Sequence, residues 1–250
     1  MPDRIHTMNI GFLGTDYNRS TLRDMEKVYV SKDNFSTFIS KLKTDEHISE
    51  CLILSTCNRI EFYYVAEDLE AGTDALIKTL ATFKDQPEDF VRETLIQRDY
   101  EEVIKHICSV SSGIESMVFG EYEILGQVKQ ALQAGIDENA TGATLNKVFQ
   151  TAVKTGKRVR TETDLSKGAY SVSSIAIEAV REKILDHFDR KILLVGTGVM
   201  GNRIAKKLYA MGHPKLTIMN RTDSKAAALA DECGAETIPY DQLQSVVPAF

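Results

Sequence analysis

One short polar segment groups side chains that could carry out covalent chemistry. Cys57 supplies a thiol, Asn58 an amide and Arg59 a guanidinium, and apolar, β-branched and aromatic residues flank the segment on both sides. Such flanks predict two strands, over 51–54 and 60–65, joined by the polar segment as a turn. A turn held between two core strands presents a nucleophile rigidly. A surface turn that happens to contain a cysteine is the alternative.

The other cysteines differ from Cys57 in their surroundings. The chain has four cysteines, and none of them forms a C-x-x-C pair or a metal-ligand spacing with histidine. Neither a metal site nor a disulfide framework is therefore predicted, and reduced thiols are expected. Cys51, Cys108 and Cys233 lie in apolar patterns, where cysteine acts as a small core residue. Cys57 alone lies among polar residues, which makes it the candidate nucleophile.

A glycine-rich segment directly follows an apolar strand predicted over 192–195. A helical stretch comes next, and a second strand over 215–219 completes a βαβ unit. In this context the first glycine permits a tight turn, the second lets the backbone approach a pyrophosphate, and the third packs helix on strand. A dinucleotide-binding unit is therefore predicted. Its candidate residues are Gly196, Thr197, Gly198, Val199, Met200 and Gly201.

The turn after the second strand indicates which dinucleotide is bound. NAD-binding units usually place a carboxylate here, whereas this chain has Asn220, Arg221 and Thr222, followed by Lys225. An amide removes the repulsive charge, and the guanidinium of Arg221 can bind a ribose 2′-phosphate. We therefore predict NADP(H) over NAD(H). An exposed turn arginine without a ligand is the alternative for Arg221.

Composition limits the classes of protein to which the chain could belong. It has 250 residues, of which 43% are hydrophobic and 26% charged, and its formal net charge is -6. The acidic balance argues against a protein that coats nucleic acid nonspecifically. No run of about 18 apolar residues is present, and the N-terminus lacks the apolar core of a signal peptide. A cytoplasmic protein without a membrane partner is predicted.

Apolar spacing predicts the elements that position these residues. A first strand is expected over 8–14, and His106 lies in a helix where a lone histidine is usually structural. The helix predicted over 145–160 carries basic residues toward its C-terminal end. These residues either contact phosphates, if they share a face, or are simply solvated. The basic residues are Lys147, Lys154, Lys157, Arg158 and Arg160. Helices are expected over the ranges 34–42, 69–83, 87–97, 99–110, 122–139, 145–160 and 171–187.

These elements predict an α/β protein with two domains. Residues 1–162 would form a mixed α+β catalytic domain, and residues 163–250 a Rossmann-type domain built on a parallel βαβ unit. The second domain is expected to be incomplete, because the sequence ends at Phe250 after a third short strand near 236–238.

Five motifs follow one another along the chain. The first four are Ser55-Thr56-Cys57-Asn58-Arg59, Ser112-Gly113-Ile114-Glu115-Ser116-Met117, Gly120-Glu121 through Ile124-Leu125-Gly126-Gln127-Val128, and Gly156-Lys157-Arg158-Val159-Arg160-Thr161, and the NADP unit is the fifth. Together they resemble the glutamyl-tRNA reductase family.

The resemblance implies NADPH-dependent reduction of L-glutamyl-tRNA(Glu) to glutamate-1-semialdehyde, the first step of the five-carbon route to 5-aminolevulinate, porphyrins, heme and other tetrapyrroles. It also implies a homodimer in the full-length form, through a C-terminal dimerisation domain absent here, and glutamate-1-semialdehyde aminomutase as a downstream partner.

The resemblance also implies roles for individual residues. Cys57 would attack the aminoacyl ester and form a thioester, and His106 would assist as a base or as a positioning group. Arg59 suits bidentate binding of the glutamyl γ-carboxylate. The turn Thr15-Asp16-Tyr17-Asn18 departs from the family pattern, so no contact is carried over there. The expected substrate-binding residues are Thr56, Asn58, Arg59, Ser116, Glu121, Tyr122, Glu123 and Gln127.

Two other functions are compatible with the sequence. The Asn-Arg-Thr cofactor turn also resembles that of shikimate dehydrogenases, so an NADP oxidoreductase acting on a free small metabolite is one alternative. A noncatalytic binding fragment is the other, because the cofactor domain is expected to be incomplete.

Overall fold

The computed structural model describes residues 9–166, 174–179, 190–213 and 215–250. The chain divides into two compact units, Met1–Ala169 and Tyr170–Phe250. Of the helix predicted over 171–187, only residues 174–179 are described, and these are helical. The rest of that prediction lies outside the described residues.

The first unit is built on a four-stranded antiparallel sheet. Its strands are β1 (Ile10–Asp16), β2 (Glu50–Ser55), β3 (Arg59–Val65) and β4 (Ile96–Asp99), in the order β2-β3-β1-β4. The two strands predicted around Cys57 are confirmed as β2 and β3. The helices are α1 (Leu22–Val28), α2 (Phe35–Leu42), α3 (Leu69–Lys84), α4 (Glu88–Thr94), α5 (Tyr100–Ser112), α6 (Glu123–Asp137) and α7 (Ala143–Glu162), with short 3-10 helices at Lys32–Asn34 and Asp164–Ser166.

The helix predicted over 87–97 is wrong at its C-terminal end. Helix α4 ends at Thr94, and the next residues form β4, which pairs with β1 through the partners Gly14 and Ile96 and the partners Phe12 and Arg98. A four-residue edge strand is too short to show a periodic pattern of its own. Its backbone becomes a strand because β1 supplies the hydrogen-bonding partner.

Successive side chains of β3 point to opposite faces of the sheet. Ile60 and Phe62 enter one apolar core, which also contains residues of α2 and α3. Tyr63 enters a second core, formed with residues of α5, α6 and α7. Arg59 and Glu61 share the parity of Tyr63, so two charged side chains point to the face covered by α5.

The second unit contains a three-stranded parallel sheet. Strands β5 (Ile192–Val195), β6 (Leu216–Met219) and β7 (Glu236–Thr237) lie in that order. Helices α8 (Val199–Ala210) and α9 (Asp223–Cys233) connect them, and a last short helix is α10 (Leu243–Val246). The predicted mixed α+β unit followed by a Rossmann-type βαβ unit is confirmed, and the sheet of the first unit is antiparallel.

Gly156 allows α7 to approach α5 closely. A Cβ atom at Gly156 would lie 2.4 Å from the carbonyl oxygen of Ser111, whereas one at Gly126 on α6 would meet nothing within 4 Å. We expect Gly156→Ala to lower the free energy of unfolding by about 1–3 kcal/mol through overpacking. Gly126→Ala, the matched control, should raise it by roughly 0.5–1 kcal/mol because glycine is costly inside a helix. Urea denaturation of both variants measures this, and a Gly156→Ala variant as stable as Gly126→Ala would contradict it.

Candidate active site

The thiol of Cys57 lies on a turn that the backbone holds firmly. The amide of Thr56 donates to the carbonyl of Arg59 at 2.9 Å, and the amide of Asn58 donates to Thr56 Oγ1 at 3.2 Å. From outside the turn, the amide of Tyr17 donates to the carbonyl of Asn58 at 3.0 Å. Cys57 itself is exposed. The turn therefore presents an accessible thiol from a fixed position, as the sequence predicted.

A buried carboxylate, that of Glu61, connects the charged groups beneath this turn. Glu61 Oε1 accepts a hydrogen bond from Arg59 Nη1 at 2.7 Å and lies 2.9 Å from His106 Nε2. Glu61 Oε2 accepts a hydrogen bond from the Tyr63 hydroxyl at 2.7 Å. The side chains of Arg59 and Glu61 are each only 2% exposed. These four residues form one network in which Glu61 is the shared acceptor.

Electrostatics keep this network charged despite its burial. Burial alone would raise the pKa of Glu61, but the charge of Arg59 and the hydrogen bond from His106 outweigh it and hold the pKa at about 2. Burial would lower the pKa of Arg59, and the Glu61 carboxylate instead raises it. Burial raises the pKa of Tyr63, so its hydroxyl keeps its proton and donates a hydrogen bond to the carboxylate.

His106 is held in one orientation by its neighbours. Its ring contacts Phe12 of β1 edge-on at 4.8 Å between centroids, and helix α5, which carries His106, packs against β1. Because Glu61 is ionised and can only accept, His106 Nε2 must carry the proton of their hydrogen bond. Nδ1 is thereby left as the nitrogen that can accept a proton when the imidazole is neutral.

The segment between α5 and α6 covers the arginine of the network. Gly113 ends α5 with a φ of 84°, and its carbonyl accepts a hydrogen bond from the amide of Gly120 at 2.9 Å. The carbonyl of Glu115 in this segment accepts a hydrogen bond from Arg59 Nη2 at 2.5 Å. Arg59 is therefore closed off from solvent in this structure.

Arg160 of α7 fixes the same segment from the other end. Its Nη1 donates to the carbonyl of Gly120 at 3.1 Å, and its Nη2 donates to that of Ser111 at 3.4 Å. Its guanidinium also stacks over the ring of Tyr122 at 5.1 Å. Two of the Arg160 nitrogens therefore already bind backbone carbonyls, and the phosphate contact considered for this residue stays a prediction.

Three of the remaining basic residues of α7 share one exposed face. Lys147, Lys154 and Arg158 are spaced seven and four residues apart, which brings them into one line on a helix. Arg158 bonds Glu162 through Nε at 3.0 Å and Nη2 at 3.1 Å. Lys157 is also exposed and lies beside this line. Phosphate contacts require cations that share one face of the helix, and these residues do.

Carboxylates surround the thiol in the free protein. Partial burial raises the pKa of Cys57, and the charges of Glu121 and Glu123 raise it further. Burial and the charge of Glu123 also raise the pKa of Glu121, although the Ser116 hydroxyl and two arginines counteract them. At neutral pH Cys57 is therefore protonated in this arrangement, and its activation requires a base or a bound cationic group.

The expected substrate residues fall into two groups around Cys57. Arg59, Ser116 and Glu121 lie on the side of the buried network and its covering segment. Thr56 and Gln127 line a groove together with Cys57, and neither Arg59 nor His106 belongs to its lining. Asn58 belongs to the turn, and the charge of Glu123 raises the pKa of the Cys57 thiol. Tyr122 is exposed, and its ring contacts the guanidinium of Arg160.

Two residues of the network, Glu61 and Tyr63, were given no role from the sequence, although the carboxylate of Glu61 lies close to Cys57 in the chain. Glu61 and Tyr63 stand at the second and fourth positions after Arg59, and period-two spacing on a strand places all three on one face. A carboxylate inside an apolar strand was the signal that could have found Glu61, because buried carboxylates are almost always paired.

The glycine-rich turn after β5 has the shape that a dinucleotide requires. Gly196 has a φ of 103°, and a Cβ atom at Gly201 would lie 2.0 Å from the carbonyl oxygen of Gly196. A Cβ atom at Gly196 or Gly198 would instead meet nothing within 4 Å, so the space above the turn is open. No side chain caps the N-terminus of α8, where Val199 and Met200 follow Gly198. These features fit a pyrophosphate.

The turn after β6 stands directly beside this opening. Asn220 Oδ1 accepts a hydrogen bond from the amide of Thr197 at 3.2 Å, and Asn220 Nδ2 donates to the carbonyl of Thr222 at 3.1 Å. Arg221 and Lys225 are exposed. The amide of Asn220 therefore links the two turns, and the cations are accessible to a ligand.

Comparison with known proteins places this geometry in a family. A sequence profile described as Glutamyl-tRNAGlu reductase, N-terminal domain, matches residues 13–163, and a profile described as Shikimate / quinate 5-dehydrogenase matches residues 178–250. The chain belongs to the glutamyl-tRNA reductase family. The predicted family is thereby confirmed, and the two profiles cover the two units of the fold in turn.

Named relatives agree with the family. A glutamyl-tRNA reductase of Chloroflexus aggregans is 37% identical over 94% of this chain and 53% of its own length, and one of Shouchella clausii is 36% identical over 97% and 53%. The solved structure of glutamyl-tRNA reductase from Methanopyrus kandleri is 29% identical with a TM-score of 0.60, over 94% of this chain and 55% of that one. The chain spans about half the length of these relatives.

The described residues contain neither a membrane-spanning helix nor a metal-binding cluster. Among the described residues, no helix is both long and apolar enough to span a bilayer. The described part of the chain also holds no cluster of three or more histidine, cysteine or carboxylate side chains suited to a metal ion.

Proposed function

We propose that this chain catalyses the NADPH-dependent reduction of L-glutamyl-tRNA(Glu) to glutamate-1-semialdehyde through a thioester on Cys57. The observation that carries the proposal is the exposed thiol on a rigid turn above the buried Arg59, Glu61 and His106 network. The reaction would begin the five-carbon route to tetrapyrroles. Residues 1–162 would carry the thioester chemistry, and residues 163–250 would bind NADPH.

The covalent step requires the thiol to lose its proton and the ester bond to break. Cys57 Sγ attacks the acyl carbon, the bond from that carbon to the 3′-terminal ribose oxygen breaks, and the ribose oxygen leaves as a hydroxyl with the proton. His106 would take up and return that proton, or orient the group that does, through Nδ1. NADPH, when bound, supplies the hydride that releases the aldehyde and regenerates the thiol.

Recognition of the glutamyl group would use both signs of charge at the site. In the structure Arg59 Nη1 is bonded to Glu61 and Nη2 to the carbonyl of Glu115. Arg59 would bind the γ-carboxylate once the segment carrying Glu115 moves, because that movement frees Nη2. The carboxylates of Glu121 and Glu123 would attract the α-ammonium group, which would also offset their effect on the thiol. Thr56, Asn58, Ser116, Tyr122 and Gln127 would complete the pocket.

The partners and compartment follow from the same proposal. The chain would work in the cytoplasm, take charged tRNA as substrate, and pass its aldehyde to glutamate-1-semialdehyde aminomutase. The full-length form would be a homodimer. The exposed face with Lys147, Lys154 and Arg158 offers cations for tRNA phosphates on an otherwise acidic chain.

A direct assay tests the proposal. The chain is incubated with glutamyl-tRNA and NADPH, and both NADPH oxidation and glutamate-1-semialdehyde are measured. The expected result is aldehyde formation that depends on both reactants. NADPH oxidation with free shikimate-type metabolites and none with glutamyl-tRNA would favour the alternative suggested by the second profile. NADPH binding without reduction of either would favour a binding fragment.

Arg221 gives the cofactor part of the proposal its own test. We expect Arg221→Ala to raise the Kd for NADPH at least about tenfold and to change that for NADH little, because only NADPH carries the 2′-phosphate. Arg190→Ala is the matched control, since Arg190 precedes β5 at the strand end opposite the glycine-rich turn. Fluorescence titration measures both constants. Equal weakening of the two cofactors would contradict the role of Arg221.

A further inference from the structure

Arg160 differs from its neighbour Arg158 on α7 in the contacts of its side chain. Arg158 is exposed and bonds Glu162 on its own helix, whereas Arg160 is partly buried and bonds the segment between α5 and α6. A guanidinium that loses water must find protein acceptors instead. Arg160 finds two of them in the carbonyls of Ser111 and Gly120. Its side chain therefore connects α7 to both ends of that segment.

The close approach of α7 to α5 fixes the base of this connection. Gly156 lies one turn before Arg160 on the same face of α7, and a Cβ atom there would stand 2.4 Å from the carbonyl oxygen of Ser111. Arg160 Nη2 reaches the same oxygen at 3.4 Å. Two residues of one helical face thus meet one carbonyl, so α7 holds the guanidinium at a set distance from α5.

Glu121 lies between the two residues of the segment that Arg160 contacts. Nη1 of Arg160 donates to the carbonyl of Gly120 at 3.1 Å, and the guanidinium lies 5.1 Å from the ring centre of Tyr122. Gly120 has a φ of 76°, a conformation that favours glycine, so the chain turns just before Glu121. Such a turn sets the direction of the next side chain only if its backbone is held. Arg160 holds it on both sides of Glu121.

Electrostatics link the same two side chains. Burial is the main cause that raises the pKa of Glu121, and the charges of Arg59 and Arg160 are among the causes that lower it. In return, the charge of Glu121 counteracts the lowering of the Arg160 pKa by burial. Arg160 therefore favours the ionised form of Glu121, which is the form that attracts a cation.

We propose that Arg160 is a positioning residue for the α-ammonium group of the glutamyl substrate and acts through Glu121. This inference rests on the proposed function, in which Arg59 binds the γ-carboxylate and the carboxylates of Glu121 and Glu123 attract the ammonium group. Arg160 itself touches no substrate atom. It sets the place of one carboxylate relative to Arg59, so that the two charged ends of the glutamyl group are recognised at a defined separation.

Movement of the segment makes such an anchor necessary. In the proposed function, the stretch that carries Glu115 leaves Arg59 when the substrate binds. Two glycines with positive φ bound that stretch, Gly113 at 84° and Gly120 at 76°. The bond from Arg160 lies at the second of them, so the residues beyond it stay with α7 while the stretch moves.

Two small amides measure recognition of the ammonium group alone. L-Glutamic acid α-amide carries the γ-carboxylate and the α-ammonium, and 4-carbamoylbutanoate is the same molecule without the ammonium. The dissociation constant of each is obtained from the protection that it gives Cys57 against iodoacetamide, followed by peptide mapping. Any effect of Arg160 on the opening of the segment is common to both ligands and cancels in the ratio of the two constants.

The unaltered chain should bind the ammonium-bearing amide at least about tenfold more tightly, and Arg160→Ala should lower this ratio about tenfold, as for loss of one hydrogen bond to a charged group. Glu121→Gln should lower it as much. In the Glu121→Gln background, Arg160→Ala should change the ratio by less than about twofold, because the two substitutions remove one interaction. Arg92→Ala, which removes an exposed arginine bonded to Asp74, is the control and should keep the ratio.

The ratio in Arg160→Ala decides between positioning and the alternatives. A ratio that survives, whether both constants rise together or neither changes, would overturn the inference and leave the proposed function standing. A retained ratio with a smaller salt dependence of tRNA binding would assign Arg160 to phosphate contacts instead. Equal effects of Arg160→Ala with and without Glu121→Gln would overturn action through Glu121. Binding of neither amide by the unaltered, folded chain would contradict the proposed acyl recognition itself and remove the inference with it.

Discussion

Replacing Glu61 with alanine is expected to lower the free energy of unfolding by about 3–5 kcal/mol, because it leaves a buried guanidinium without its counter-charge. The carboxylate accepts hydrogen bonds from Arg59, Tyr63 and His106, so its removal also leaves three buried donors without their acceptor. The orientation of His106 would be lost with it. We therefore expect thioester formation to fall together with stability.

Two comparison variants make the Glu61 result specific. Glu162→Ala removes an exposed partner of Arg158, and its cost should stay below about 1 kcal/mol. Glu61→Gln keeps the shape and one acceptor oxygen, but it removes the charge and replaces the second acceptor with a donor, so its cost should lie between those of the two alanine variants. Chemical denaturation measures all three. A Glu61→Ala cost no larger than that of Glu162→Ala would contradict a buried ion-pair network.

The same network predicts how stability depends on pH. The pKa of Glu61 is about 2 in the fold against an ordinary 4.5. Because the folded pKa is the lower one, the stabilisation is fully present above the ordinary value and is lost as pH falls from about 4.5 toward about 2. In the Glu61→Ala variant this part of the acid dependence should be absent.

Replacing Cys57 with serine is expected to reduce aldehyde formation from glutamyl-tRNA by at least about 10³-fold, as for loss of a covalent nucleophile. A serine hydroxyl has nearly the same size but a far higher pKa, and the carboxylates that raise the pKa of the thiol would disfavour an alkoxide even more. Stability should change little, because Cys57 is exposed. Cys108→Ala, in α5 and partly buried, is the control. Retained activity in Cys57→Ser would end the thioester mechanism.

Local patterns predicted much of the fold correctly, because each correct prediction had its cause within a short stretch. The two strands around Cys57 and the βαβ unit beyond residue 190 follow from alternation, apolar runs and glycine positions. Strand β4 was missed because its strand character comes from pairing with β1, some 80 residues earlier in the chain. Non-local pairing leaves no periodic signal in four residues.

The site was predictable in its residue types and less so in its contacts. Cys57, Arg59 and His106 were named from the sequence. The link between Arg59 and His106 is Glu61, and that link exists only because α5 packs against β1, the neighbour of β3 in the sheet. For Arg160 the sequence suggested one contact and the structure shows others. Its position in a basic helix suggested phosphate binding, whereas the fold turns it inward to hold the segment that covers Arg59.

The most direct test of the account is capture of the acyl-enzyme. The chain is mixed with glutamyl-tRNA in the absence of NADPH, quenched in acid, and examined by intact mass and peptide mapping. We predict one glutamyl group per chain, attached to the peptide containing Cys57, released by hydroxylamine and absent from Cys57→Ser. A folded chain that acquires no adduct, or that carries the adduct on another residue, would contradict the account.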